Sequence, residues 1–308
     1  MAAHRRVRRI LTRVVALGVF ALLLLAGLCV MLYPSMSNYI NEKNQSRVIN
    51  HYNTKVSAMS TADYSQLIKL AKAYNTRLAQ SGLAVHDAFE NGADESDRSG
   101  EYWKLLNVDG TGIMGYLIID KIHVRLPIYH GTDSLVLQKG AGHIQGSSLP
   151  VGGENTHAVL SAHTGLPSAE YFTNLDQMKM GDTFQLHVLG QTLTYQVDQI
   201  LTVLPYQVDA LSIIPGGDYV TLVTCTPYGI NSHRLLVRGK RIATPASDTG
   251  SAVSPAQRAK LSGLRAVAAW FGRIGSIFVA AGETAYEHIV TGLVIATERC
   301  LKLLGIPY

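Results

Sequence analysis

The sequence predicts a mainly β fold, an eight-stranded barrel or sandwich, preceded by one N-terminal membrane span and by helices. Eight short segments with strand character follow one another between residues 115 and 239, where long helical patterns are few. Apolar and polar residues alternate through 183–188 and 192–197, and Leu189-Gly190-Gln191 between them fits a tight hairpin. Many short strands are typical of all-β barrels and sandwiches. The predicted strands are 115–119, 124–129, 156–162, 182–188, 192–197, 200–205, 219–225 and 234–239.

The predicted span is residues 14–33, twenty residues without a charge, behind a basic segment of residues 1–13. About 20 residues that rise 1.5 Å each cross a hydrocarbon core roughly 30 Å thick. Five arginines precede the span, so the positive-inside rule predicts a cytoplasmic N-terminus and an extracytoplasmic remainder. A cleaved signal peptide is the alternative, but its apolar region usually has about 7–15 residues and ends in small residues. The length of the run favours a retained anchor.

Residues 34–80 are predicted to be helical, because apolar residues such as Val48, Tyr52 and Val56 recur every three or four positions. This periodicity fails in residues 81–112, where the stretch 86–101 is acidic, contains glycine and is irregular. Long loops of this kind are often lids or mobile segments. We therefore expect a lid-like loop before the β domain, which is predicted to occupy residues 113–242.

The C-terminal part is predicted to be a linker, residues 243–260, followed by helices in residues 261–308. The linker is rich in Ser, Pro, Gly and Ala. Arg265 and Arg273 interrupt the apolar pattern of the tail, and an arginine near mid-bilayer costs about 2.5–3.5 kcal/mol. The apolar stretch 289–296 is too short to span. Amphipathic helices on the membrane or on the domain are therefore favoured over a second span.

The charge and the cysteine content exclude some classes of function. Much of the net charge of +5 comes from the five N-terminal arginines, so the extracytoplasmic part is near neutral. Since no basic patch with interleaved aromatic residues is present, nucleic-acid binding is not indicated. Three cysteines are too few for a disulfide framework. Cys29 lies in the span and Cys300 near the C-terminus, which leaves Cys225 as the thiol of the β domain.

Three residues lie where strand-like segments begin or end. Cys225 closes the segment 219–225, His163 follows 156–162, and Arg234 opens the next strand after a turn-rich loop. A nearby cation favours the reactive thiolate. Cys225 would attack a carbonyl, His163 would move protons, and Arg234 would hold substrate or stabilise the oxyanion. A buried, inert Cys225 and a solvated Arg234 are the alternatives. His143, His157, His187 and His233 also lie in the β region.

Several motifs resemble one enzyme family. The segment Thr221-Leu222-Val223-Thr224-Cys225 resembles the Thr-Leu-x-Thr-Cys signature of sortases, the cysteine transpeptidases of the Gram-positive surface. Cys225, His163 and Arg234 match the nucleophile, histidine and arginine of that family. The likeness extends from about residue 35 to residue 242 and is closest to the pilin-polymerising class C sortases. Segments similar to that class are 41–46, 126–132, 148–153, 225–229 and 234–239.

The resemblance implies a fold and an activity. The fold would be a sortase-like β-barrel, and the substrates would be pilin or surface proteins that carry a Leu-Pro-x-Thr-Gly-type sorting signal. Cleavage between Thr and Gly would leave a thioester on Cys225, which a pilin lysine amine would resolve. No metal or organic cofactor is needed for this chemistry. Transfer to a peptidoglycan amine, and a non-catalytic surface module, remain as alternatives.

The resemblance also points to a lid. Class C sortases commonly carry an Asp-Pro-aromatic motif over the active site, and Asp87-Ala88-Phe89 resembles it. Asp87 and Phe89 match the outer positions. Because Ala88 stands where the motif has proline, with its fixed φ, we expect a less rigid loop. The family often has a second membrane helix at its C-terminus, where this chain has a poor span.

Overall fold

Eight strands close into a barrel in the computed structural model. The strands are β1 Ile113–Ile119, β2 Val124–His130, β3 Ala141–His143, β4 Thr156–Ser161, β5 Thr183–Val188, β6 Gln191–Val203, β7 Asp218–Thr226 and β8 His233–Ile242. They close in the order β1-β2-β3-β4-β7-β8-β6-β5. This confirms the predicted eight-stranded, mainly β fold and selects the barrel over the sandwich.

The structure describes residues 2–81, 87, 89, 99–166 and 168–245. Of the two units into which the chain divides, Met1–Gly250 and Ser251–Tyr308, only the first contains described residues. Most of the predicted linker and all of the predicted C-terminal helices, residues 261–308, lie outside them. Of the predicted lid-like loop region, residues 82–86, 88 and 90–98 also lie outside them, whereas residues 81, 87, 89 and 99–112 are described.

The number of strands agrees with the prediction, but two of the strands, β3 and β6, differ from it. The sequence analysis missed β3, which has only three residues, all buried, and is therefore too short to show alternation. It also divided β6 into two strands, 192–197 and 200–205. The pairing of β6 with β8 shifts register between Val197 and Gln199, so an irregularity bends one long strand without ending it.

Two long helices precede the barrel. Helix α1, Ala2–Ser57, contains the predicted span and continues beyond it through Pro34. Among the described residues it is the one helix long and apolar enough to cross a membrane. Helix α2, Thr61–Ser81, begins after Ser60, whose hydroxyl accepts a hydrogen bond from the backbone N–H of Asp63 at 3.2 Å. This side-chain cap explains why a new helix starts there. Two short helices follow, α3 Glu101–Lys104 and α4 Ser134–Leu137.

The end of α1 is fixed to the barrel wall. Ile49 and Tyr52 are buried against β1. The Tyr52 hydroxyl donates to the carbonyl of Met114 at 2.9 Å and accepts from the backbone N–H of Leu189 at 2.8 Å. One buried tyrosine therefore ties α1 both to β1 and to the turn between β5 and β6.

The two ends of the barrel are distinct. Strands β4 and β7 are parallel neighbours and end at the same edge, where the antiparallel β8 begins. We call this end the active-site rim. Strand β6 reaches the same rim at Val203, which pairs with Arg234. The turn from β5 to β6, where Val188 pairs with Gln191, lies at the opposite end, which we call the far rim.

Candidate active site

Parallel pairing of β4 with β7 brings His163 to Cys225. The register runs from Thr156 opposite Asp218 to Ser161 opposite Val223. Beyond the strand, the N–H of Ala162 donates to the carbonyl of Val223 at 3.2 Å. The hydroxyl of Thr224 donates to the carbonyl of Ala162, 62 positions away, at 2.8 Å. The next step in this register sets His163 beside Cys225.

Arg234 comes from the other neighbour of β7. Strand β8 pairs with β7 in antiparallel register, and Cys225 lies directly opposite Arg234. Residues directly opposite each other in an antiparallel pair have Cβ atoms about 4.5–5.5 Å apart. The structure therefore brings the three predicted residues together on three adjacent strand ends of the active-site rim.

The guanidinium of Arg234 is paired with the carboxylate of Asp87. Its Nε donates to Oδ1 of Asp87 at 2.9 Å and its Nη2 donates to Oδ2 at 2.6 Å. Nη1 donates to the carbonyls of Asn231 and His233 at 3.2 and 3.3 Å. The two side chains are only 10% and 9% exposed. Forked Arg–carboxylate pairs of this kind are among the stronger hydrogen-bonded contacts in proteins, so in this conformation Arg234 is engaged by Asp87.

Phe89 lies against both His163 and Arg234. Its ring centroid is 5.6 Å from that of His163 and 5.1 Å from Cζ of Arg234. The ring also packs against a small apolar cluster on the barrel wall that includes Val223 and Leu236. Asp87 and Phe89 thus contact two of the three site residues, Arg234 and His163.

The charge states of the thiol and the imidazole follow from their surroundings. Burial raises the pKa of Cys225; the charge of Arg234 lowers it, and the charge of Asp87 raises it again. Burial lowers the pKa of His163. Both shifts favour the uncharged forms, a thiol at Cys225 and a neutral imidazole at His163. A neutral imidazole can accept the thiol proton when the site is used.

The four other histidines that the sequence analysis named in the β region have polar or ring contacts of their own. His143 and His157 are fully buried. Nε2 of His143 lies 2.8 Å from the carbonyl of Ser148, and Nδ1 of His157 lies 2.8 Å from the carbonyl of Ser212. The ring of His187 stacks on Tyr116 with centroids 4.6 Å apart. His233, at the start of β8, has Nδ1 2.8 Å from the hydroxyl of Ser232.

The loop between β7 and β8 adds a residue that the sequence analysis did not single out. Gly165 follows His163 with φ +71°, and a Cβ built there would lie 3.0 Å from the ring of Tyr228. The ring therefore covers the turn after His163. Tyr228 belongs to the segment 225–229, which resembles the class C sortases. Nothing in the sequence pattern indicated that its side chain is exposed beside the site. Among the described residues, no three of His, Cys, Asp or Glu converge as metal ligands would.

Comparison with known proteins gives consistent matches. Residues 117–242 match the family model described as the sortase domain. A crystal structure of sortase C from Streptococcus pneumoniae is 49% identical, with a TM-score of 0.59, and the match covers 65% of this chain and 98% of that one. Sortase C1 of Streptococcus agalactiae is 47% identical, with a TM-score of 0.59, covering 65% of this chain and all of that one (100%).

A curated relative is more distant. Sortase A of Streptococcus agalactiae serotype III is 32% identical over 117 residues, which are 37% of this chain and 47% of the relative. The chain therefore spans about half the length of that relative. The sortase-domain match, residues 117–242, includes both His163 and Cys225.

Proposed function

The chain belongs to the sortase family, and on this premise we propose that it is a membrane-anchored cysteine transpeptidase of the pilin-polymerising class. Two solved structures that it resembles are sortases C, and the one from Streptococcus pneumoniae is described in terms of pilin substrate specificity. The observation that carries the proposal is the register that sets His163 and Arg234 on either side of Cys225.

The proposed substrates are proteins with a Leu-Pro-x-Thr-Gly-type sorting signal. Sγ of Cys225 attacks the carbonyl carbon of the Thr–Gly bond, and His163 takes the thiol proton. The tetrahedral intermediate collapses, the C–N bond breaks, and His163 passes that proton to the leaving glycine amine. Arg234 stabilises the oxyanion once Asp87 has left it. The result is a thioester on Cys225 and a free glycine amine.

The second half returns the enzyme to its starting state. A pilin lysine amine attacks the thioester carbon and gives a proton to His163. The C–S bond breaks, an isopeptide bond remains in the product, and the sulfur of Cys225 regains a proton. Because burial lowers the pKa of His163, it favours the neutral imidazole, which is the form that can accept a proton at each attack.

Asp87 and Phe89 are proposed to act as a lid. Asp87 competes with substrate for Arg234, and Phe89 covers His163. The lid must therefore move before a sorting signal reaches Cys225. The neighbouring position carries Ala88 instead of proline, so proline's fixed φ does not restrain the lid there.

The membrane placement is also part of the proposal. The apolar part of α1 would cross the bilayer with its arginine-rich start in the cytoplasm and the barrel outside. The barrel would then act at the cell surface, where sorting signals are displayed.

The test is a transfer assay with the full chain in phosphatidylcholine vesicles. A sorting-signal peptide is supplied with either a pilin-type lysine peptide or a wall-type peptide amine as acceptor. We expect an isopeptide product with the lysine acceptor and none with the Cys225→Ala variant. Preference for the wall-type amine would identify a wall-anchoring sortase. The proposal would be contradicted if neither the parent nor the Asp87→Ala/Phe89→Ala variant formed product with either acceptor.

A further inference from the structure

Helix α1 reaches the barrel first at the loop that follows His163. Oδ1 of Asn38 accepts a hydrogen bond from the N–H of Glu170 at 3.0 Å. Nδ2 of Asn41 donates to the carbonyl of Ser168 at 2.6 Å. These contacts lie within eight residues of the end of the apolar run. The anchor helix therefore holds a loop of the active-site rim just outside the span.

Further along, α1 reaches the opposite end of the barrel. Tyr52 is hydrogen-bonded to the N–H of Leu189, and a Cβ built on Gly190 would lie 3.7 Å from Cγ1 of Val56. Leu189 and Gly190 form the turn of the far rim. Because α1 meets the active-site rim first and the far rim last, the active-site rim faces the membrane.

The length of the helix limits how far this rim lies from the lipid. Asn41 follows Tyr33 by eight residues, and a helix rises 1.5 Å per residue, so Asn41 lies at most about 12 Å above the apolar boundary. A bend at Pro34 would only reduce this height. Headgroup layers add roughly 5–8 Å on each side of the core. Asn38, which contacts this rim loop at Glu170, lies at most about 8 Å above the boundary by the same rise per residue. We therefore expect the rim loops to lie at or near the headgroup layer.

Exposed apolar side chains project from these loops. Tyr228 is 67% exposed and Ile230 is 71% exposed, both in the loop between β7 and β8. Tyr206, which follows the end of β6 at the same rim, is 75% exposed. The ring of Tyr228 lies against Gly165, three residues before Ser168, which contacts α1. Tyrosines are enriched at membrane interfaces, where the ring is apolar and the hydroxyl stays hydrated.

We propose that Tyr206, Tyr228 and Ile230 form a lipid-contact surface that rests on the membrane crossed by α1. This inference rests on the membrane placement proposed above. The attraction of this surface to lipid is apolar and not ionic. Glu42 and Glu170 interact electrostatically beside the loop that follows His163, and their charges would repel anionic lipid. Binding of the surface should therefore be insensitive to salt. Substrates would approach Cys225 along the membrane plane.

The test places one fluorescent label at a time on the full chain, with the other native cysteines replaced by serine. Ile230→Cys reports the lipid-contact surface, and Gln191→Cys, exposed at the far rim, is the matched control. The native Cys29 reports the span. Each labelled protein is inserted into phosphatidylcholine vesicles with or without doxyl-labelled lipid, at low and high salt.

We expect doxyl lipid to quench the labels at 29 and 230 but not at 191, with a blue-shifted emission at 230 that salt does not change. If the label at 29 is quenched and that at 230 is not, the anchor stands and the lipid-contact surface is wrong. Quenching at 191 as well would contradict the orientation. An unquenched label at 29 would refute the membrane placement itself. A label at 230 that responds only to added sorting-signal peptide would identify a peptide-binding surface and overturn the inference.

Discussion

His143 lies in β3 and His163 lies just beyond the end of the neighbouring strand β4, and the two have opposite environments. The ring of His143 is fully buried, with Nδ1 3.0 Å from the hydroxyl of Tyr102 and Nε2 2.8 Å from the carbonyl of Ser148. His163 is only partly buried, stands beside a thiol and lies under a phenylalanine ring. The comparison shows that burial with hydrogen bonds on both ring nitrogens makes His143 structural. His163 is only partly buried and stands beside the Cys225 thiol, so it is available for proton transfer.

The largest expected effect is a slower rate of acyl transfer when His163 is replaced. The variant His163→Asn should transfer acyl groups about 10²- to 10⁴-fold more slowly, because a general acid–base group contributes about that factor. The rate of isopeptide formation measures it, and an unchanged circular dichroism spectrum shows that the fold is intact. Transfer within twofold of the parent would remove His163 from the mechanism.

Replacing His143 should affect stability instead. The variant His143→Ala leaves buried polar partners such as the Ser148 carbonyl unsatisfied, which costs about 1–3 kcal/mol for each group. We expect the free energy of unfolding in urea to fall by about 3 kcal/mol. Acylation of Cys225 by the folded variant should remain near the parent rate. A loss of acylation without a loss of stability would reverse the two assignments.

Acid should reveal the burial of His143 as a loss of stability. Burial lowers the pKa of His143 to about 4, below its ordinary value of 6.5. The unfolded chain therefore binds a proton between these values that the folded chain excludes, so stability falls as pH drops from 6.5 to 4. The loss attributable to His143 should approach about 3 kcal/mol, at 1.36 kcal/mol per pKa unit. Urea unfolding across this range should show a steeper slope for the parent than for His143→Ala; equal slopes would contradict this.

Opening the lid should have a smaller effect, on access. In Asp87→Ala/Phe89→Ala, alkylation of Cys225 should accelerate about tenfold, because a hydrogen bond to a charged group contributes about 1.5–3 kcal/mol. Asp198→Ala is the matched control, since Asp198 makes a similar forked pair with Arg238, at 3.0 and 2.9 Å. Equal rates for all three proteins would show that the segment does not cover the thiol.

The smallest expected effect concerns the charge of the lid. The charge of Asp87 raises the pKa of Cys225. Replacing it in Asp87→Asn should therefore shift the midpoint of the alkylation pH profile to lower pH, as more thiolate forms at a given pH. Asp198→Asn should leave the midpoint where it is. A shift to higher pH would contradict the electrostatic account.

Local patterns predicted much of the barrel but little of the site's assembly. The sequence indicated that Cys225 and Arg234 lie on successive strands, and a hairpin return brings such residues together. It offered no direct sign that β4 pairs in parallel with β7, since two strands and several loops separate them. The contact between Asp87 and Arg234 spans 147 positions and depends on tertiary packing. The same is true of the polar contacts that distinguish His143 from His163.

The central claim is that Cys225 at the active-site rim carries the acyl group. Intact-protein mass spectrometry with peptide mapping, after incubation with a sorting-signal peptide, tests it most directly. We predict a thioester adduct on Cys225 that forms faster in Asp87→Ala/Phe89→Ala and is absent from Cys225→Ala. An adduct on another residue, or equal trapping by Cys225→Ala and the parent, would contradict the account.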